Sequence, residues 1–144
     1  MNIVIEKLKI DDLKAAISIW DENHNTSTDY EKSAKIYSEI INNPAYHNIV
    51  AKINDQVIGL ATVIINYDIV DQLKPFITVW NLSVHTNFRR MGVATKILKY
   101  IEDYAKKNKC DFIAFQAEAK NVAAQKLYDK LGYARDIGYF KKIE

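Results

Sequence analysis

The sequence predicts a mixed α/β fold, a central and mostly antiparallel sheet with helices on both faces. Three observations carry this. Strand-like stretches at 47–53, 56–66 and 76–84 follow one another through short connections, and strands joined that way pair antiparallel. The third feeds a short loop, an amphipathic helix and a further apolar stretch at 111–117, the order of a parallel right-handed crossover. Two more helical stretches precede the first of those strands, so both faces of the sheet can be covered.

Residues 2–8 alternate apolar and polar side chains and read as a strand. Asp11 or Asp12 is expected to cap a helix reaching Trp20, with Leu13, Ala16, Ile17 and Trp20 on one face. Residues 21–27 are polar and read as a connection. Thr28 and Glu31 have the spacing of a capping box, and the helix they open stops near Ile41, ahead of Pro44. Asn54-Asp55 is a hairpin signal between two strands, although its second residue is not glycine. Residues 67–75 form a loop.

Past the strand at 76–84, apolar side chains recur at 93, 94, 97, 98, 101, 104 and 105. Lys96, Lys99, Glu102 and Asp103 take the opposite side, which is helical spacing. Residues 111–117 read as a strand and 121–131 as a helix that Gly132 is placed to end. Residues 133–143 are expected to supply a last strand or pair of strands. With no repeat, linker or low-complexity segment, a single domain over 1–144 is expected.

Composition excludes several classes. A net charge of +2 with scattered lysines argues against a nucleic-acid or membrane-surface partner. Hydrophobic content of 49% and charged content of 26% fit a globular domain. No apolar run nears the roughly 18 residues of a membrane span. The first residues are too charged for a secretory signal, so a cytoplasmic protein is expected. Cys110 is the lone cysteine, which rules out an internal disulfide or a cysteine metal cage; a buried spectator is expected, and no metal.

Chemistry concentrates in the basic loop Arg89-Arg90-Met91-Gly92-Val93-Ala94. A strand entering a helix through a glycine turn leaves the first helical N–H groups unpaired, and these with the helix dipole suit phosphate. Gly92 and the small Ala94 let a ligand approach the backbone. Two of the three arginines, Arg89 and Arg90, sit here, where planar oxyanions would bind.

Arg89-x-x-Gly92-x-Ala94, behind a strand carrying Leu82-x-Val84, resembles the acetyl-coenzyme A loop of the GNAT superfamily of N-acetyltransferases. It is neither a Walker loop nor a Rossmann fingerprint. Downstream, Asn121-x-x-Ala124-x-x-x-Tyr128-x-x-x-Gly132-Tyr133 is similar to a second segment of that superfamily, Asn-x-x-Ala-x-x-x-Tyr-x-x-x-Gly-Phe. The resemblance implies the acyl-coenzyme A N-acyltransferase fold, with the two parallel strands splayed to admit acetyl-coenzyme A. It implies acetyl transfer to a primary amine by direct attack through a tetrahedral intermediate.

It also implies roles. Leu82 would offer the oxyanion a backbone N–H where the central strand bulges, while Ser83 and Val84 pair the pantetheine amides like an added strand. The N–H groups of Arg90, Met91, Gly92, Val93, Ala94 and Thr95 would meet the phosphates, so the side chains of Met91 and Val93 should matter little. Arg89 fills the motif position and is the more structural of the arginine pair. Asn121 would bond the pantetheine arm, and Tyr128 would protonate the departing thiolate. Phenol and thiol have ordinary pKa values of about 10 and about 8.5, a small mismatch for a general acid.

Each residue also has a plainer reading. Gly92 can be a turn residue, Asn121 a helix N-cap, Tyr128 part of the stripe Ala124, Leu127, Tyr128 and Leu131, and the arginines surface charges. The general base is not legible: superfamily members often carry Glu two residues before the position of Leu82, and Trp80 stands there. Asp68, Asp71, His85, Glu118, Glu22 and His24 are candidates, as is a water chain. Walls for an amine acceptor are expected from Trp20, Tyr30, Tyr67 and Trp80, with Arg135 and Tyr139 near the end of the chain. Glu22, His24, Asp68 and Glu118 would add polarity, and the carboxylates among them would favour a cationic acceptor. An alternative is a catalytically silent coenzyme A-binding sensor or scaffold. Members of the superfamily are often homodimers, though no stretch here specifies an interface.

Overall fold

The computed structural model describes residues 2–143; Met1 and Glu144, the ends of the expected domain, lie outside the described residues. The chain forms two compact units, one ending at Ala114 and the other beginning at Phe115.

The first unit holds β1 (Val4–Lys7), α1 (Leu13–His24), α2 (Tyr30–Ile40), β2 (Tyr46–Ile53), β3 (Gln56–Asn66), β4 (Phe76–Val84), α3 (Val93–Lys107) and β5 (Ile113–Ala114). The sheet runs β1-β2-β3-β4-β5, antiparallel except for the parallel β4–β5 pair. The mixed, mostly antiparallel sheet predicted above is therefore present. Alternation along β3 separates the two faces. Leu60 packs with Leu8, Leu13, Ala16, Ile19 and Tyr37 on the side of α1 and α2. Gly59 faces α3, where Ile97, Leu98 and Ile101 are fully buried.

Several local expectations need correction. α1 runs four residues past Trp20, to His24, and a short 3-10 turn, Ile10–Asp12, precedes it. Asp12 stands at the N-cap position of α1, as expected, but its side chain makes no capping bond: the carboxylate lies 3.0 Å from Lys52 Nζ, a partner a propensity argument from sequence does not see. α2 starts at Tyr30 with Asp29 as its cap, accepting from the Lys32 N–H at 3.0 Å, so the Thr28 capping box does not form. Thr28 instead donates to Asp21 at 2.7 Å. At the hairpin, Asn54 and Asp55 both take positive φ, 48° and 66°, as a two-residue turn matching the strand twist requires.

The expected strand at 111–117 shrinks to Ile113–Ala114, paired with Ile77 and Thr78. In the second unit, α4 (Val122–Lys130) follows its cap Asn121, and Gly132 closes it at φ +89°. No strand forms over 133–143, against expectation. Ile137, Tyr139, Phe140 and Ile143 are each more than four-fifths exposed. Their strand propensity reflects packing against a neighbour, and no ladder partner is present for it among the described residues.

Candidate active site

β4 carries an irregularity at its centre. Leu60 pairs with Ser83 and Thr62 with Trp80, so Ala61 alone opposes the two residues Asn81 and Leu82. This is a β-bulge, and Asn81 enters it at φ +59°, a conformation asparagine tolerates better than most residues. Leu82, singled out for its backbone N–H, thus sits in a real bulge. Beyond the bulge the ladder resumes, and His85 donates to Ile58 O at 2.8 Å. Successive residues of a strand turn their amides to opposite edges, so the Val84 amide faces the edge away from β3. On that edge the pairing with β5 ends at Thr78, which leaves the last six residues of β4 without a strand partner among the described residues.

The strand end and the basic loop are locked together by α1. The Asn23 amide donates to Ser83 Oγ at 2.5 Å and to Val84 O at 3.0 Å, while its Oδ1 accepts from Arg89 Nη2 at 2.8 Å. Arg89 is in this sense the structural arginine, as expected. Arg90 and Met91 are exposed; Arg90 takes φ +61° and Gly92 φ +80°. Glycine alone adopts the second without strain. Gly92 is the residue before α3, and no side chain caps the helix there. The first intrahelical bond is Lys96 N–H to Gly92 O at 3.0 Å, so the amides of Val93, Ala94 and Thr95 precede it and remain open to an acceptor. Two arginines thus stand beside a helix N-terminus whose first amides have no intrahelical partner, an arrangement that suits an anion.

One expectation about this loop fails. Val93 is 2% exposed, and a methyl group at Gly59 would stand 3.3 Å from its Cγ1, so its side chain is a packing element rather than an indifferent one. Loop spacing reveals backbone exposure; it does not reveal the glycine 34 positions earlier that receives the side chain.

In the second unit, Asn121 Oδ1 accepts from the Ala124 N–H at 3.1 Å and caps α4. Tyr128 stacks edge-on against Phe115 and Tyr133, with ring centroids 4.6 and 6.4 Å away. Burial pushes its phenol above the ordinary tyrosine value, because desolvation disfavours the phenolate. The proton therefore stays on at neutral pH.

Five of the six side-chain candidates for the base have a local partner. His85 Nδ1 accepts from the Asn87 N–H at 3.1 Å and ends the strand; His24 stacks on Trp20 at 3.6 Å and contacts Trp20 O. Asp68 accepts from the Val70 N–H, Glu22 from Ser18, and Glu118 lies 3.8 Å from Lys120. Asp71 is exposed. Among the described residues no group of His, Cys, Asp and Glu is arranged to hold a metal ion, and no helix is long and apolar enough to cross a membrane.

Trp80 is half exposed on the α1 side of the sheet. Beside it lies a row that the sequence reading missed: Thr62 donates to Asn48 at 2.9 Å and Asn66 to Thr78 at 3.1 Å. Cys110 is partly buried and its thiol is pushed up by desolvation, the condition of an unreactive cysteine.

Comparison with known proteins bears on the family and the fold. A family model described as the acetyltransferase (GNAT) family matches residues 13–133. N-alpha-acetyltransferase 30 of Xenopus laevis is 33% identical over 60 residues, 42% of this chain and 22% of that protein. The human protein of the same name matches equally over 17% of its length. The matched stretch thus spans about a fifth of the curated relatives. A transcriptional regulator from Bacillus halodurans superposes with TM-score 0.91 at 17% identity, covering 99% of this chain and all of the other. Glucosamine-6-phosphate N-acetyltransferase from Arabidopsis thaliana gives TM-score 0.84 at 17% identity, covering 99% of each. At such identities the two structures speak for the fold alone. With the family model running through more than four-fifths of the chain, this protein belongs to the GNAT acetyltransferase family.

Proposed function

We propose that residues 1–144 form one N-acetyltransferase domain that moves acetyl from acetyl-coenzyme A to a primary amine. The observation that carries this is the conjunction in the first unit of a bulged, open-edged β4 with an uncapped α3 behind Arg89 and Arg90. An acyl-coenzyme A substrate presents a pyrophosphate and an extended amide arm, and the two features suit those parts in turn.

In this reading Gly92, Val93, Ala94 and Thr95, with Arg90 and Met91, give backbone N–H groups to the phosphates. Ser83 and Val84 pair the amide arm, Asn121 adds a side-chain contact to it, and the Leu82 N–H supports the oxyanion of a direct attack. Acetyl-coenzyme A supplies the thioester. Tyr128 holds its proton in a desolvated site and gives it to the leaving sulfur, while the proton shed by the attacking amine leaves through water and the phenolate is reprotonated from solvent. The raised phenol keeps the acid loaded, at the cost of a weaker driving force for transfer.

For the acceptor, the relatives named N-alpha-acetyltransferase recommend peptide α-amines as the first class to test. The hydrogen-bonded row of Asn48, Thr62, Asn66 and Thr78 beside Trp80 suits a neutral, hydrogen-bonding portion of such a substrate. The test is thiol release from acetyl-coenzyme A with a panel of peptide α-amines, lysine side-chain amines and amino sugars. Amine-dependent release is expected. Acetyl-coenzyme A binding without release for any amine would leave the silent coenzyme A-binding role in its place.

A further inference from the structure

Resting on that reading of the loop, we infer that Asn23 is a positioning residue for acetyl-coenzyme A: one carboxamide from α1 fixes both the end of β4 and Arg89. The three groups it joins lie 60, 61 and 66 positions away in sequence and are adjacent to it in space. Its NH2 spans Ser83 Oγ at 2.5 Å and Val84 O at 3.0 Å, and its oxygen takes Arg89 Nη2 at 2.8 Å. Both ends of an amide are used, which no hydrophobic or purely acidic side chain can imitate.

The partners explain what is fixed. Ser83, at 6% exposure, is the buried polar residue among those described, and loss of Asn23 leaves its hydroxyl short of a partner. Val84 bears an N–H at the open edge of β4, and a bond to its carbonyl fixes the adjoining Val84–His85 peptide plane, the last of that edge. Arg89 begins the loop, and tying its guanidinium to α1 fixes where Arg90 and Gly92 emerge. Asn23 thereby joins the edge that would pair the pantetheine arm to the loop that would hold the phosphates.

α1 carries a second anchor two residues earlier. Asp21 accepts from Thr26 Oγ1 at 2.7 Å, from the Thr28 N–H at 2.9 Å and from Thr28 Oγ1 at 2.7 Å, organising the connection to α2. Those bonds hold its carboxyl below the usual range. One turn of helix thus ties the α1–α2 connection and the cofactor cradle to the same rigid segment.

The test is a double-mutant cycle on acetyl-coenzyme A affinity, measured by calorimetry with thermal unfolding alongside. Asn23→Ala and Arg89→Ala should each weaken binding about tenfold, and the double variant should add less than about twofold to either. Asn23→Asp, which keeps an acceptor for Arg89 but cannot donate to Val84, should also weaken it, and covers the case in which Asn23→Ala does not fold. A folded Asn23→Ala or Asn23→Asp protein that binds within about twofold of wild type, or two losses that simply add, would overturn the inference. A folded wild type that binds no acetyl-coenzyme A would overturn the reading beneath it, and the inference with it.

Discussion

A methyl group placed on Gly59 would stand 3.2 Å from Ile97 Cδ1, and 3.2 Å from the Ser83 carbonyl oxygen. β3 and α3 are therefore in contact at a point where only the α3 side chains of Ile97 and Val93 fill the space between them. That contact seats the first turn of α3, and so the loop ahead of it. The side chain of Ile97 can shift; the backbone oxygen of Ser83 is held in the ladder. Gly59→Ala should cost about 1–3 kcal/mol in a urea titration, the scale of overpacking in a core. It should also weaken acetyl-coenzyme A binding. Unchanged stability would mean that α3 moves freely on the sheet.

Tyr128→Phe keeps the ring that packs on Phe115 and removes only the acid. Turnover should fall about 10²- to 10⁴-fold, with acetyl-coenzyme A affinity preserved. Steady-state thiol release with parallel calorimetry checks this. An unchanged kcat would make Tyr128 a packing residue, as its stripe on α4 allows.

His47 should make stability pH-dependent. Its Nε2 lies 2.9 Å from the Tyr100 hydroxyl and its ring stacks 4.5 Å from Tyr104. Burial holds its pKa below the ordinary 6.5, and the charges of Lys7 and Lys107 add to this. The unfolded chain thus takes up the proton first as pH falls. The contribution of the neutral ring is complete above pH 6.5 and declines between there and the lower folded-state value. Urea midpoints should fall on acidification from neutral pH, and less so for His47→Phe. The depressed carboxyls of Glu6, Asp21 and Asp129 begin to lose their contribution only near their ordinary values of 4.5 and 3.8, so the decline that starts at pH 6.5 belongs to His47.

Cys110→Ser should leave turnover unaltered. Desolvation raises the thiol, and direct attack by an amine needs no cysteine nucleophile. Loss of activity with intact stability would point to a covalent acyl-enzyme and against direct transfer.

Legibility from sequence followed the range of the interaction. β4 was read at 76–84, where the structure has it, because an apolar run between a loop and a basic turn is a local signal. The Asn121 cap and the Asn54-Asp55 turn are local too, and both stand. The Leu82 bulge came through family resemblance; Asn81 at positive φ leaves no distinct mark in the letters. Asn23 was invisible because its partners lie 60, 61 and 66 positions away. Asp12 takes the expected N-cap position but gives no side-chain cap for the same reason, since Lys52 competes for its carboxylate at 3.0 Å. Residues 133–143 carry strand-forming side chains, yet strand formation depends on a neighbour that composition does not supply.

The central claim is that the loop through Gly92 holds the pyrophosphate of acetyl-coenzyme A. Calorimetric binding to wild type, Gly92→Ala and Gly92→Glu tests it most directly. The space around Gly92 is open but its φ is +80°, so Gly92→Ala carries the backbone strain alone, roughly 1–2 kcal/mol. Gly92→Glu adds bulk and negative charge where the phosphates would lie. Micromolar binding by wild type, partly kept by Gly92→Ala and abolished in a folded Gly92→Glu, is the predicted result. Equal binding by all three, or none by a folded wild type, would contradict it.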